Sequence, residues 1–159
     1  MSGKYDQYVV KPPKYRLTNL KDNSLFFDGL MVKEPELGTD FTFGHQFVLK
    51  PFKGDNPTHS HKFWEFMTWY GSNPEDPDDF DAEIVFYFGK ELEKHVFTRP
   101  TVVALPPGLI HHPFEITRVG KPIIQVEIMI GRKGVPVDIT FEKDKGWDPS
   151  KMVKREWPK

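Results

Sequence analysis

The chain has 159 residues, 38% hydrophobic and 14% aromatic, with a formal net charge of -1. That length suits one domain, and the apolar content excludes an intrinsically disordered chain. The near-neutral balance gives no electrostatic case for nucleic acid or an anionic membrane surface, and the absence of cysteine excludes disulfides, thiolate metal ligands and a cysteine nucleophile.

From the N-terminus, residues 1–37 mix Tyr5, Tyr8, Tyr15, Phe26 and Phe27 with polar residues and read as an extended arm that covers a barrel end or a partner subunit. The first residues lack the apolar core of a secretory signal, and no apolar run reaches the length of a membrane span. The expectation is a soluble, cytoplasmic protein with no membrane partner.

Pro (15) and Gly (12) then punctuate many short apolar runs, which predicts an all-β sandwich or barrel. The run from Phe41 to Leu49 alternates, placing Phe41, Phe43, His45, Phe47 and Leu49 on one face. His45 is therefore a candidate cavity residue, with a satisfied core histidine as the alternative. The segment Thr58-His59-Ser60-His61-Lys62-Phe63-Trp64-Glu65-Phe66-Met67 follows. Read as one strand, it points His59, His61, Phe63, Glu65, Met67 and Trp69 to a common face. Two imidazoles and a carboxylate among apolar neighbours need partners, and converging ligands of this kind suit a divalent cation. An acidic, Pro-rich stretch from Gly71 to Asp81 reads as a surface loop dividing the chain into two halves.

Ala82 to Phe88 and Thr101 to Leu105 are predicted strands. His95 reads as an exposed edge residue and Arg99 as a solvated rim residue. Pro106-Pro107-Gly108 is a turn, after which His111 opens a new strand and supplies a fourth ligand. His112, next to it, is expected to face the opposite way in a structural or solvent-facing role. Phe114 is a candidate cavity wall, like Phe63, Met67 and Trp69. In the strand from Pro122 to Ile130, Gln125 and Glu127 share one face while Ile124, Val126 and Ile128 share the other. If the polar face looks inward, Gln125 and Glu127 line a pocket. The usual half-buried strand would turn the aliphatic face inward instead. Pro149 to Trp157 is the one stretch read as a turn or two of helix.

These residues resemble the two signature motifs of the cupin superfamily. The first motif's H-x-H-x3-E is matched by His59, His61 and Glu65, and the second motif's P-x-G-x2-H by Pro106, Gly108 and His111. Gly54 and Gly71 each lie one residue closer to the ligands than the first motif asks. Pro100 stands where the second motif opens with Gly, and Glu115 where it closes with Asn. Those departures concern turns, whereas all four ligand positions are intact.

The resemblance implies a single domain with a cupin-type double-stranded β-helix, or jelly-roll, barrel over about residues 38–131. An extended N-terminal segment (1–37) and a short C-terminal tail (132–159) flank it. It further implies one divalent metal ion (Fe, Mn, Ni or Zn) held by His59, His61, Glu65 and His111, and a homodimer. The function expected is that of a metal-dependent enzyme acting on a small oxygenated organic molecule, by dioxygenase, decarboxylase, isomerase or lyase chemistry. A non-catalytic cupin that binds or senses a small molecule is the alternative. Catalytic residues beyond the ligands are not assigned.

Overall fold

The computed structural model describes residues 4–33, 37–54, 56–132, 137–139 and 153–156. After a short 3-10 turn at Asp6–Tyr8 the described elements are strands: β1 (Lys14–Asn19), β2 (Leu25–Val32), β3 (Phe41–Val48), β4 (Phe52–Lys53), β5 (His59–His61), β6 (Trp64–Gly71), β7 (Ala82–Phe88), β8 (Glu93–Phe97), β9 (Thr101–Leu105), β10 (His111–Val119), β11 (Ile123–Ile130), β12 (Val137–Ile139) and β13 (Val153–Glu156). They form two antiparallel sheets. One has the order β13-β1-β2-β3-β11-β6-β9, and the other β12-β5-β10-β7-β8 with β4 also pairing β10. The alternating sequence predicts an all-β sandwich or barrel, and the two sheets form the jelly-roll arrangement that the resemblance implies.

Two expectations about the flanks are corrected. The N-terminal arm is not outside the barrel, because β1 and β2 are integral strands of the seven-stranded sheet, with β2 paired to β3 from Phe27↔Val48 to Val32↔Phe43. Within the expected helical stretch, residues 153–156 are a strand paired to β1, from Arg16↔Glu156 to Asn19↔Val153. The rest of that stretch, with Trp147 and Trp157, lies outside the described residues. Among the described residues no helix is long and apolar enough to cross a membrane.

The core lies between the sheets. Trp69, Ile84, Phe86, Leu105, Ile116, Ile123 and Val48 are essentially fully buried. Trp69 on β6 meets Phe86 on β7 and Phe114 on β10 with ring centroids 6.2 and 6.1 Å apart, bridging the layers. Large aromatic side chains fill the space between sheets at one end of the barrel, while the other end stays open around the histidines.

Candidate metal centre

The segment from His59 to Glu65 does not run as one strand. It turns a corner at Lys62 and Phe63, so that His59 and His61 stand on β5 of one sheet and Glu65 on β6 of the other. Both faces of that corner look into the same interior: His59, His61 and Glu65 are 7%, 2% and 4% exposed. His111 is fully buried and enters from β10, directly opposite His59 in the ladder.

The second motif's turn fixes this pairing. Leu109 N–H donates to Pro106 O at 3.1 Å, closing a turn in which Gly108 has φ +86°, a left-handed value that costs glycine nothing. The Gly108 N–H then donates to His61 O at 2.7 Å, binding the second motif to the first.

Each imidazole is oriented by a backbone carbonyl two residues away. His59 Nδ1 lies 2.7 Å from Pro57 O, His61 Nδ1 2.8 Å from Phe63 O, and His111 Nδ1 2.8 Å from Leu109 O. A carbonyl only accepts, so in each ring Nδ1 carries the proton and Nε2 presents a lone pair. Ligand atoms of the three histidines lie within 4.8 Å of one another. Glu65 Oε2 closes on two of them, 2.9 Å from His61 Nε2 and 3.6 Å from His111 Nε2. The second distance is beyond hydrogen-bond length, and the buried His111 Nε2 has no hydrogen-bond partner. An imidazole lone pair and a carboxylate at 2.9 Å repel unless a proton or a cation lies between them. The three convergent histidines, with the orphaned His111 nitrogen among them, could hold a divalent cation.

The electrostatics agree. Burial, reinforced by the neighbouring His111, pushes the His59 imidazole down to about 4. Burial works against the Glu65 carboxylate, but the adjacent His111 and His61 outweigh it and hold the carboxyl well below its ordinary range. Near neutral pH the site thus holds a neutral His59 and an anionic Glu65, the forms a cation needs.

No protein-family model matches the sequence, and no curated protein matches it. Solved structures do. The polyketide cyclase RemF from Streptomyces resistomycificus superposes with a TM-score of 0.51 at 12% identity, covering 80% of each chain. Peruvianin-I, a cysteine peptidase from Thevetia peruviana latex, gives 0.51 at 11% identity over 87% of this chain and 80% of that one. A cupin-like protein from Thermotoga maritima scores 0.46 at 12% identity over 81% and 84%. The first two share this chain's two-sheet β architecture. At these identities the likeness concerns architecture alone, and a peptidase using a cysteine nucleophile has no counterpart in a chain without cysteine.

Inside the barrel lie two adjoining cavities of about 420 and 270 Å³, which share Asn56, Glu65, His112, Glu127, Met129 and Arg132; His59 and His61 line the smaller one. Phe63 lines the smaller, and Met67 and Phe114 the larger. Gln125 and Glu127 face inward, because β11 presents Ile123, Gln125, Glu127 and Met129 to the interior and leaves Ile124, Val126 and Ile128 half-buried on the outer face. The usual orientation is reversed because this interior is a polar-lined cavity rather than a solid core. Trp69 is fully buried behind the wall and lines neither cavity; it reaches the cavity by donating from Nε1 to Gln125 Oε1 at 2.8 Å.

Two placements differ from expectation. His45 does not line a cavity. β3 turns Thr42, Gly44, Gln46 and Val48 inward, so His45 stands on the outer face, edge-on to Phe47. His112 does not face away from His111. The β10–β7 ladder shifts register between His111 and Phe114, and His112 adopts φ +71°. This bulge turns two successive side chains inward. His112 is 1% exposed, stacks on His59 with centroids 4.8 Å apart, and lines both cavities. Burial, then the neighbouring His59 and His111, push its imidazole well below the ordinary range, which keeps it neutral. His95 and Arg99 are exposed, as expected.

Sequence reasoning missed Gln46, Asn56 and Arg132. The signal for Gln46 was its position in the small, polar half of the β3 alternation. That half faces inward when the outer face carries the aromatic residues.

Proposed function

We propose that this chain is a metal-dependent cupin enzyme acting on a small oxygenated organic molecule, with one divalent ion held by His59, His61, Glu65 and His111. The observation that carries the reading is the set of three convergent imidazoles, each oriented by its own carbonyl, with a carboxylate against two of them and a cavity large enough for an organic ligand beside it. A bound ion there would supply Lewis-acid polarisation of a substrate oxygen.

The chain's own groups do the rest. Glu65 neutralises part of the cation's charge. It approaches His61 and His111 from the other sheet. His112 lines both cavities and stacks on His59, which would place it to exchange a proton with a bound ligand. Met67, Phe63 and Phe114 exclude water from the apolar part of a substrate.

The test is elemental analysis of protein prepared without a chelating tag, followed by turnover of a panel of small hydroxy, keto and carboxylic acids with and without added metal and oxygen. Stoichiometric metal with metal-dependent turnover is the expected result. A preparation that takes up no divalent ion under any condition would end the proposal. Metal uptake and ligand binding without turnover on any member would favour a binding or sensing role.

A further inference from the structure

One cross-strand row away from the metal-site residues borders the larger cavity, with Gln46 and Gln125 lining it and Trp69 behind them. Gln125 on β11 stands opposite Gln46 on β3 and opposite Trp69 on β6. An indole nitrogen can only donate, so the 2.8 Å contact from Trp69 Nε1 fixes the Gln125 carbonyl oxygen toward the tryptophan. The Gln125 amide nitrogen is thereby turned to Gln46, whose Oε1 lies 3.5 Å away. Gln46 is in turn left with its amide nitrogen as the free prong. That Nε2 is buried and has no hydrogen-bond partner, in a residue only 2% exposed. Gly44 makes its position available: a Cβ there would stand 2.9 Å from Gln46 Nε2. Gly44 lies two residues nearer the histidine end of β3, so the nitrogen points along the cavity toward the metal centre. A buried, oriented donor with nothing to donate to costs stability in the empty protein.

The opposite end of the cavity is different in character. Arg132 lines both cavities where they meet the histidine cluster. Glu65 stands opposite Met129, four residues along β11 from Gln125, a separation of about 13 Å along the strand. The walls of the larger cavity also include Phe27, Met31, Phe52, Met67 and Phe114.

We infer that Gln46 is the specificity-determining donor for an elongated, mostly apolar organic acid, which places a neutral carbonyl-type oxygen on Gln46 Nε2 and its carboxylate beside Arg132 and the metal centre. This names a ligand class for the site proposed above and rests on that reading only for the carboxylate end. Trp69 and Gln125 are positioning residues, since they act by fixing the direction of the Gln46 amide.

The probe pair is 4'-acetylbiphenyl-4-carboxylate and its 4'-isopropyl analogue, which has nearly the same shape but no acceptor. Both are titrated calorimetrically into the full chain, metal-depleted and manganese-loaded, for the wild type, Gln46→Met and Trp69→Phe. The wild type should prefer the acetyl acid by about tenfold, the value of one formed rather than missing hydrogen bond. Gln46→Met should bring the ratio to about one, and Trp69→Phe should reduce it. In the wild type, with no substitution needed, the Gln46 side-chain amide resonances should shift with the acetyl acid and stay in place with the isopropyl acid. Equal binding of the two acids by the wild type, failure of both to bind, or a preference unchanged in Gln46→Met overturns the inference. Failure of the metal reading has a separate signature: neither acid's affinity responds to manganese, whatever the acetyl-to-isopropyl ratio.

Discussion

Replacing Glu65 by Gln separates a metal ligand from a structural carboxylate. The side chain is 4% exposed, and its Oε2 lies 2.9 Å from a histidine nitrogen that presents a lone pair. An amide of the same shape can turn its N–H₂ to that nitrogen and satisfy it, so the metal-free variant should be as stable as the wild type within about 1 kcal/mol. Metal binding should suffer, because a charged oxygen ligand has become a neutral one. A loss of about a hundredfold in affinity corresponds to roughly 2.7 kcal/mol. With free metal at a hundred times the wild-type dissociation constant, the ion adds about 2.7 kcal/mol to the wild type and about 0.4 kcal/mol to the variant. For a chain of this size 1 kcal/mol moves the melting temperature by about 2–4 °C, so the wild type should gain about 5–10 °C on metal addition and Glu65→Gln about 1–2 °C. Differential scanning calorimetry with and without metal measures both numbers. If the variant keeps the full metal-dependent rise, Glu65 is not a ligand and the four-residue site is wrong. If its metal-free form melts far lower, the carboxylate is structural.

His61→Ala should abolish metal binding altogether, since it removes the ligand that contacts Glu65 and is tied to the Gly108 turn; elemental analysis of the folded variant checks this. Gly108→Ala places a side chain at φ +86° and should cost about 1–2 kcal/mol in urea unfolding, and it should weaken metal affinity to the extent that the strained turn shifts the residue 108 N–H away from His61 O. The metal-free protein should lose stability in acid. His59 titrates from 6.5 in the unfolded chain to about 4 in the fold, so the unfolded chain takes the proton first and its population is favoured as pH falls through that window. At 1.36 kcal/mol per pH unit the loss is about 3 kcal/mol between neutral pH and pH 4, and His112, depressed by burial, adds in the same direction. Urea unfolding in chelator at pH 7 and pH 4.5 measures it; a flat profile would refute the placement of His59 as a buried neutral imidazole.

Spacing alone identified the four ligand candidates, because His-x-His and Pro-x-Gly-x2-His impose local geometry: alternate side chains on a strand, and a turn that only glycine closes easily. The first motif does not run as the single strand expected of it, since the corner at Lys62 and Phe63 brings Glu65 toward His61 and His111 from the other sheet. What could not be read locally was which face of a strand looks inward. β3 and β11 each have an apolar and a more polar face, and burying the polar one makes sense only once a cavity is known to lie between the sheets. That is why Gln46 replaced His45, and why Gln125 and Glu127 lie inside. His112 escaped because a one-residue bulge cancels the alternation on which its expected orientation rested. β1 and β2 were hidden by their mixed composition; only their ladder to β3 makes them part of the sheet.

The corner has a mechanical meaning. With His59, His61 and His111 on one sheet and Glu65 on the other, an ion in the proposed site is a rivet through two plates. Such an ion would tie the two sheets together at the histidine cluster, as the aromatic contacts around Trp69 tie them further along the strands. Amide hydrogen exchange should then fall into two regimes: slow in both states for strand centres near Trp69, and slowed by metal at β5, the start of β6 and the start of β10 together. Exit of the ion and opening of the barrel mouth would be one event, so the residence time of the metal would set how often the interior can be entered from that side.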